Sequence, residues 1–198
     1  MLLKIDPFSP DAAVIRQAAE VIRAGGLLVV PTETVYGLAA DPFNDAAMEA
    51  LYRAKGRRPD KPVALFAAGM KPIEEAGFLF SEQAKRVGER FWPGPLTLVL
   101  RGPGEPTGFR VPDYAVPQLL LEDLGQVLAV TSANLAGQPE ALKAAEAMQS
   151  IGNSVDLILD AGPSPGGTAS SVVLDGEEGL QILREGAITR DDIFSAAG

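Results

Sequence analysis

The sequence contains no cysteine and no histidine in its 198 residues. Without cysteine, the chain has no disulfide, thiolate nucleophile, iron–sulfur cluster or thiolate zinc site. Without histidine, the Ser-His-Asp triad and the usual zinc hydrolase sites are excluded as well. The chemistry left to lysine, arginine, hydroxyl, amide, carboxylate and backbone N–H groups is suited to binding phosphates and stabilising charge.

Positive charge is also scarce, because 17 Lys and Arg face 26 Asp and Glu and give a net charge of −9. We therefore expect weak or no direct binding to nucleic acid and none to an anionic membrane. No apolar run has the length of a membrane span, and residues 1–8 lack the pattern of a signal peptide. These absences predict a cytoplasmic protein.

Apolar runs and helical patterns alternate along the first two thirds of the chain. The predicted strands there are residues 27–30, 63–66, 96–100 and 126–131, and the predicted helices are 44–56, 81–91 and 139–149. Further strands are predicted close together at 155–159, 170–174 and 180–183. This order predicts an α/β fold with a twisted, mixed parallel and antiparallel sheet and flanking helices. We see no linker or internal repeat and expect a single domain over residues 1–198.

A short basic segment, residues 52–62, contrasts with the acidic remainder. It contains Arg53, Lys55, Arg57, Arg58 and Lys61 within Y-R-A-K-G-R-R-P-D-K-P. Arginine offers phosphate a planar fork and lysine a compact charge, so the segment is a candidate phosphate site. The alternative is a solvated helix end, where cations complement the helix dipole. The pattern alone leaves both interpretations open.

Polar stretches follow several predicted strands, where α/β sheets commonly bind ligands. They are P-T-E-T-V-Y-G-L (31–38), T-S-A-N (131–134) and G-G-T-A-S-S-V-V (166–173). Each also has an ordinary structural interpretation: a turn satisfied by its own hydroxyls, a helix cap, or a loop. Their shared position at strand ends makes a common polar site the functional hypothesis.

Two arginines and one proline-rich stretch complete the candidates. Arg110 precedes a proline and faces either solvent or a substrate carboxylate, and Arg184 closes the last predicted strand. W-P-G-P-L-T-L-V-L (92–100) is interpreted as mainly structural. The G-x-x-x-x-G-K-[ST] phosphate loop is absent, so any ATP site here has a different cradle.

In combination and in this order, the motifs P-T-E-T-V-Y-G-L, K-x-R-x-x-x-K-P, W-P-G-P-L-T, R-V-P, T-S-A-N, S-S-V-V and L-R-E-G resemble the YrdC-like threonylcarbamoyl-AMP synthase family. The resemblance runs from about residue 10 to about residue 190. It implies a YrdC-like α/β domain around a large concave, positively lined cavity, in the short single-domain form. It also implies an enzyme, a nucleotidyltransferase that condenses L-threonine, bicarbonate and ATP to threonylcarbamoyl-AMP and pyrophosphate for tRNA modification.

The resemblance implies a role for each matching residue. Those implied to be catalytic are Lys55, Arg57 and Lys61, and those implied to bind ATP are Arg57, Lys61, Ser132, Asn134 and Arg184. The residues implied to bind threonine are Thr34, Arg110 and Ser170. Mg²⁺ is expected to arrive with ATP, without a dedicated protein metal site. The downstream tRNA threonylcarbamoyl transferase is a further expected partner.

The sequence departs from the family pattern at two places. Some relatives have a histidine in the strand after K-P, where this chain has Phe66, so one threonine contact is lost or replaced. Arg58 also stands where a proline often follows the arginine of K-x-R. Two other functions remain open at this point: an RNA-binding module, and a paralogue that makes a different carbamoyl or acyl adenylate.

Overall fold

The computed structural model describes residues 1–59 and 61–198, so Asp60 of the basic segment lies outside the described residues. The strands are β1 (Leu2–Lys4), β2 (Leu28–Val30), β3 (Gly37–Ala40), β4 (Ala64–Phe66), β5 (Leu96–Leu100), β6 (Thr107–Arg110), β7 (Leu128–Ser132), β8 (Leu157–Asp160), β9 (Ser171–Gly176) and β10 (Gly179–Arg184). The helices are α1 (Ala12–Arg23), α2 (Asp45–Lys55), α3 (Met70–Glu75), α4 (Glu82–Phe91), α5 (Ala115–Leu124), α6 (Ala144–Ile151) and α7 (Arg190–Ala197).

Across the described ranges, all ten strands form one sheet in the order β1-β8-β2-β3-β7-β4-β6-β5-β9-β10. The β1–β8, β2–β8, β4–β6 and β5–β9 pairs are parallel. The β2–β3, β3–β7, β4–β7, β5–β6 and β9–β10 pairs are antiparallel. The predicted α/β fold with a mixed sheet is therefore confirmed.

Local sequence signals explain where the two helices beside the candidate motifs begin and end. Helix α2 begins after Asn44, whose side chain accepts from the backbone N–H of Ala47 at 3.1 Å. It ends at Gly56, which has a φ of 60°, as glycine permits. Helix α6 begins at Ala144 rather than at the predicted residue 139. The carboxylate of Glu146 accepts from the backbone N–H groups of Leu142 and Lys143, and these bonds fix the start of the helix.

The sheet carries apolar side chains on alternating sides, and helices cover them. Leu28 of β2 packs with α1 and α5, whereas its neighbour Val29 packs with α2 and α6 on the other face. In the second half of the sheet, Leu98 of β5 packs with α4 and α7 on one face. The opposite face of that half is open and forms one wall of a cavity.

Candidate active site

The cavity has a volume of about 340 Å³ and is built on alternate residues of neighbouring strands. The strand residues that line it include Ala64 and Phe66 of β4, Thr97 and Val99 of β5, Gly108 and Arg110 of β6, and Val172 of β9. Thr34, Arg57, Ser132, Ser170 and Arg184 line it from strand ends and loops. The fold therefore gathers most of the candidate residues into one hollow.

Thr34 lies in the turn after β2, where the hydroxyl of a second threonine fixes it. Thr32 Oγ1 donates to the carbonyl of Val35 at 2.7 Å and accepts from the backbone N–H of Thr34 at 3.1 Å. Since the single proton of Thr32 is used, the 2.9 Å contact between the two hydroxyls has Thr34 as its donor. Thr34 thus presents only acceptor lone pairs to a ligand.

Arg110 is the most enclosed cation of the cavity. Its Nη2 lies 2.6 Å from Oε1 of Glu33, and the two side chains are only 6% and 14% exposed. The guanidinium carbon lies 5.3 Å from the centre of the Phe66 ring, and Nε donates to the carbonyl of Gly94 at 3.3 Å. Phe66 thus stacks on the arginine predicted to bind the threonine carboxylate.

Arg57 lines the cavity immediately after the glycine that ends α2. Its Nη1 donates to Thr131 Oγ1 at 3.3 Å and its Nη2 to the carbonyl of Pro62 at 2.9 Å. Its Nε is buried and has no hydrogen-bond partner within the described part of the chain. Nη1 and Nη2 each carry a second N–H beyond these two bonds, so the guanidinium keeps donor capacity for a phosphate oxygen bound in the cavity.

Lys55 is placed differently from its prediction as a phosphate-binding catalytic residue. The residue is 4% exposed and is not among the described residues that line the cavity. Four oxygens surround its Nζ: the carbonyl and hydroxyl of Ser132, at 2.7 and 3.0 Å, and the carbonyl and side-chain oxygen of Asn134, at 3.0 and 2.9 Å. The three protons of the ammonium group are shared among these four acceptors. Lys55 thus acts in the structure as a tie between α2 and the 131–134 loop.

The environment of Lys55 is dry and partly cationic. Burial, followed by the charge of Arg57, lowers the pKa of Lys55 to about 8, while Glu140 acts in the opposite direction. The four oxygens around Nζ favour the ammonium form, but burial and the charge of Arg57 outweigh them and lower the pKa.

Ser132 and Asn134, both predicted to bind ATP, differ in whether they line the cavity. Ser132 lines the cavity at the end of β7. Asn134 is 4% exposed, and its amide nitrogen donates to the carbonyls of Leu135 and Gln138, at 3.2 and 2.6 Å. Asn134 therefore shapes the loop that presents Ser132.

Ser170 and Arg184 form a second polar group, at the β9–β10 end of the cavity. Arg184 donates through Nη2 and Nε to the carbonyl of Ser170, at 2.8 and 3.1 Å, and through Nη2 to its hydroxyl at 3.3 Å. The other neighbour of that hydroxyl is Thr97, which sequence reasoning had assigned to a structural stretch.

Lys61, predicted to bind the ATP phosphates, lies at the surface. It is exposed, and within the described ranges it is not one of the cavity-lining residues. Its carbonyl accepts from the hydroxyl of Tyr52 at 3.3 Å and its N–H donates to the carbonyl of Arg58 at 3.2 Å. These contacts hold the backbone near α2 while the ammonium group is exposed.

Three arginines (Arg57, Arg110 and Arg184) and one acid, Glu140, are the charged residues that line the cavity among the described residues. The Glu33 carboxylate offsets the charge of Arg110 from behind. The lining therefore favours anionic ligands such as phosphate and carboxylate. Within residues 1–59 and 61–198, no helix is both long and apolar enough to cross a membrane.

The mixed sheet and its cavity of arginines and hydroxyls define an α/β protein whose cavity lining favours anionic ligands. The family described as Telomere recombination (Sua5/YciO/YrdC) matches residues 20–186, and the chain belongs to this family. The resemblance drawn from the motifs is thereby confirmed.

Named relatives extend this comparison. The chain is 34% identical to a threonylcarbamoyl-AMP synthase of Bacillus subtilis (strain 168), a match that covers 98% of this chain and 59% of the relative. It is also 34% identical to a putative threonylcarbamoyl-AMP synthase of Mycobacterium tuberculosis (strain H37Rv), with 98% and 93% covered. The crystal structure of Pyrococcus abyssi Sua5 complexed with L-threonine superposes with a TM-score of 0.93 at 29% identity, over 100% of this chain and 61% of that one. The chain thus spans about three fifths of the Bacillus and Pyrococcus proteins.

Proposed function

We propose that this protein is an L-threonylcarbamoyladenylate synthase, which condenses L-threonine, bicarbonate or CO₂ and ATP to threonylcarbamoyl-AMP and pyrophosphate. The observation that carries the proposal is the shared cavity, in which Arg57 and Ser132 lie in the same hollow as Thr34, Arg110 and Ser170. The names of the relatives and the threonine complex of the Pyrococcus protein support it.

The cavity offers separate places for the amino acid and the nucleotide. Arg110 is suited to the threonine carboxylate because its planar guanidinium is held by Glu33 and Phe66. The acceptor lone pairs of Thr34 are suited to the substrate amine. Arg57 and Ser132 are suited to the ATP phosphates, with Arg184, which is hydrogen-bonded to Ser170, as a further nucleotide contact.

The reaction begins when the uncharged threonine amine attacks the carbon of CO₂, one C=O π bond opens to give the carbamate oxygen anion, and a proton of the amine is released to water. From bicarbonate, the same attack forms the carbamate and expels one water molecule. A carbamate oxygen then attacks the α-phosphorus of ATP, and the bond from that phosphorus to the bridging oxygen of the β-phosphate breaks. Pyrophosphate leaves with the electron pair, and the product is a mixed carbamic–phosphoric anhydride. The transferred group is a nucleotidyl group, which defines the proposed enzyme class.

The protein contributes position and charge to this step. Negative charge accumulates on the phosphoryl oxygens and on the leaving pyrophosphate, where Arg57, which lines the cavity, and Lys61 of the same segment are assigned to stabilise it. Lys55 contributes through Ser132, since it holds that residue through two hydrogen bonds. Holding carbamate and ATP in one hollow supplies the effective concentration of the two reactants. ATP enters as its Mg²⁺ complex, and the ion is bound mainly by phosphates and water.

The proposed product is an activated carbamoyl donor, so a second enzyme must consume it by transfer to a nucleophile. A tRNA threonylcarbamoyl transferase is the partner that we propose for this step, and the synthase itself needs no strong affinity for tRNA. A net charge of −9 agrees with that division of work.

The proposal is tested by incubating the protein with MgATP, labelled bicarbonate and a panel of amino acids. We expect label in a nucleotide product and pyrophosphate release when threonine is present. A different preferred amino acid would indicate a paralogue with another adenylate product. Salt-dependent tRNA binding without ATP turnover would instead indicate an RNA-binding module, and both outcomes would reject the assignment.

Removing one cation from the basic segment is expected to slow the reaction. Arg57→Ala and Lys61→Ala should each lower kcat/KM at least about tenfold, a loss of roughly 1.4 kcal/mol of transition-state stabilisation. Arg53→Ala is the matched control for Arg57→Ala, since Arg53 is an exposed cation of the same segment that does not line the cavity in the described structure. Lys61 is likewise exposed outside the described lining, so the loss expected for Lys61→Ala rests on the resemblance of the K-x-R-x-x-x-K-P motif. Steady-state pyrophosphate release measures all three variants. Full activity of Arg57→Ala and Lys61→Ala would remove the segment's proposed role.

A further inference from the structure

Thr97 is a buried polar residue of the cavity wall that the proposed reaction does not yet use. It is 5% exposed and lines the cavity from β5. The strand alternates, with Leu96, Leu98 and Leu100 packed in the core below it. Its Oγ1 lies 2.9 Å from Oγ of Ser170, the residue predicted to contact threonine.

The sheet register places Thr97 between the two ends of the amino-acid site. Leu98 pairs with Phe109, so the antiparallel β5–β6 register brings Thr97 opposite Arg110 on the cavity face. On its other side, Thr97 pairs with Val172 of β9, and Ser170 directly precedes that strand. Neighbouring strands are about 4.8 Å apart. A ligand whose carboxylate binds Arg110 therefore has its next few atoms beside Thr97 and Ser170.

The hydroxyls of Thr97 and Ser170 carry two protons, and only one of them has an acceptor among the described residues. One of the two protons forms the bond between them, and Arg184 Nη2 donates to Ser170 rather than accepting from it. No acceptor for the other proton is found among the described residues. The pair of Thr32 and Thr34 differs, because the carbonyl of Val35 takes its second proton.

We infer that the Thr97–Ser170 hydroxyl pair binds the β-hydroxyl of the amino-acid substrate and makes Thr97 a specificity-determining residue that selects threonine over valine. This inference rests on the proposed function. The substrate hydroxyl accepts the unused proton, and its own proton can go to a remaining lone pair of the two side chains.

Valine has the same shape as threonine but places a methyl group at this position. The unused proton would then lack an acceptor on a side chain that is only 5% exposed, which is unfavourable. Sites built to hydrogen-bond a substrate hydroxyl reject the analogue that lacks it far better than apolar sites distinguish one methyl group. The pair would therefore supply selectivity that shape alone does not provide.

The test compares kcat/KM for threonine and valine in the wild type, Thr97→Val and Thr97→Ser. Thr97→Val keeps the size of the side chain and removes its hydroxyl. The hydroxyl of Ser170 remains in this variant and can still donate to the substrate, so we expect Thr97→Val to lower the threonine/valine ratio of kcat/KM only in part, through the loss of the second partner. Adding Ser170→Ala removes both protons and should lower that ratio at least about tenfold, because kcat/KM falls for threonine and not for valine. The KM for ATP should not change, and Thr97→Ser should keep most of the wild-type ratio.

Controls separate this inference from folding effects and from the proposed function. Thr107→Val changes a threonine of β6 whose hydroxyl donates to Glu105 on the exposed surface, and it should leave the ratio intact. Calorimetric affinities for threonine and valine provide a readout that does not depend on turnover. A threonine/valine ratio that stays at the wild-type value in both Thr97→Val and its combination with Ser170→Ala would overturn this inference alone. Wild-type pyrophosphate release that is indifferent to every amino acid would instead overturn the proposed function.

Discussion

Replacing Arg110 by methionine is expected to destabilise the protein by about 3–5 kcal/mol, because it leaves the Glu33 carboxylate enclosed without its cation. The side chains of the pair are only 14% and 6% exposed, so water can solvate the remaining charge poorly. Methionine keeps an unbranched apolar side chain over Phe66, which limits the loss of contact area. The same variant should lose threonine-dependent turnover, since the proposed carboxylate partner is gone.

A double substitution distinguishes the cost of leaving the Glu33 charge unpaired from the cost of lost side-chain contacts. Glu33→Gln combined with Arg110→Met removes both charges and should recover most of the lost stability, while threonine binding stays absent. Arg101→Met is the control, because it breaks an exposed ion pair. Arg101 and Glu177 lie 3.0 Å apart, and their side chains are 52% and 85% exposed. It should cost at most about 1 kcal/mol in urea unfolding. Equal losses for Arg110→Met and Arg101→Met would contradict the proposed importance of burial.

Replacing Lys55 by methionine is the second large expected loss. Four oxygens of the 131–134 loop lose their donor, two from Ser132 and two from Asn134. Because hydrogen bonds to a charged group are worth more than neutral ones, we expect a loss of at least about 2 kcal/mol in the free energy of unfolding. The KM for ATP should also rise, since Ser132 loses its support.

Lys71→Met serves as the control, because it breaks an exposed ion pair. Lys71 lies 3.6 Å from Glu75 at i,i+4 spacing on the helix surface. It should change stability by a few tenths of a kcal/mol. Unchanged stability and ATP affinity in Lys55→Met would show that the tie between α2 and the loop is dispensable.

The lowered pKa of Lys55 also predicts a pH effect of known sign. The folded protein loses this proton near pH 8, whereas the unfolded chain keeps it up to about pH 10.5. The unfolded state therefore binds more protons between those values, and the stability of the wild type relative to Lys55→Met should increase as the pH rises through that window. Urea unfolding of both proteins at several pH values measures the difference, and a falling difference would contradict the assigned pKa direction.

Most of the fold could be predicted because its signals are local. The apolar run at 96–100 and the caps of α2, Asn44 and Gly56, are legible in the sequence itself. Strand β3 could not be predicted in this way, since Gly37–Ala40 is composed of residues with weak strand preference. Its conformation comes from pairing with β2 and β7, which are neighbours only in the folded sheet.

The candidate site was predictable where motifs stand at strand ends. Thr34, Ser132 and Ser170 line one cavity as their position suggested. The inward direction of Lys55 was missed, although Leu51 lies one helical turn before it on the buried face of α2 and could have indicated it.

Two further residues of the site were also missed. The period-two alternation of β5 was a usable sign that Thr97 faces away from the core leucines. For Glu33, no local pattern indicates a partner in β6, because the pair is created by the order of the sheet.

The central claim is that an amino acid and ATP react inside one cavity, and the rate of pyrophosphate release as a function of threonine concentration tests it most directly. With MgATP and bicarbonate held at saturation, the account predicts a rate that rises from near zero along a saturating curve. In Arg110→Met, the rate should stay near zero at every threonine concentration. A rate that is the same at every threonine concentration would contradict the account.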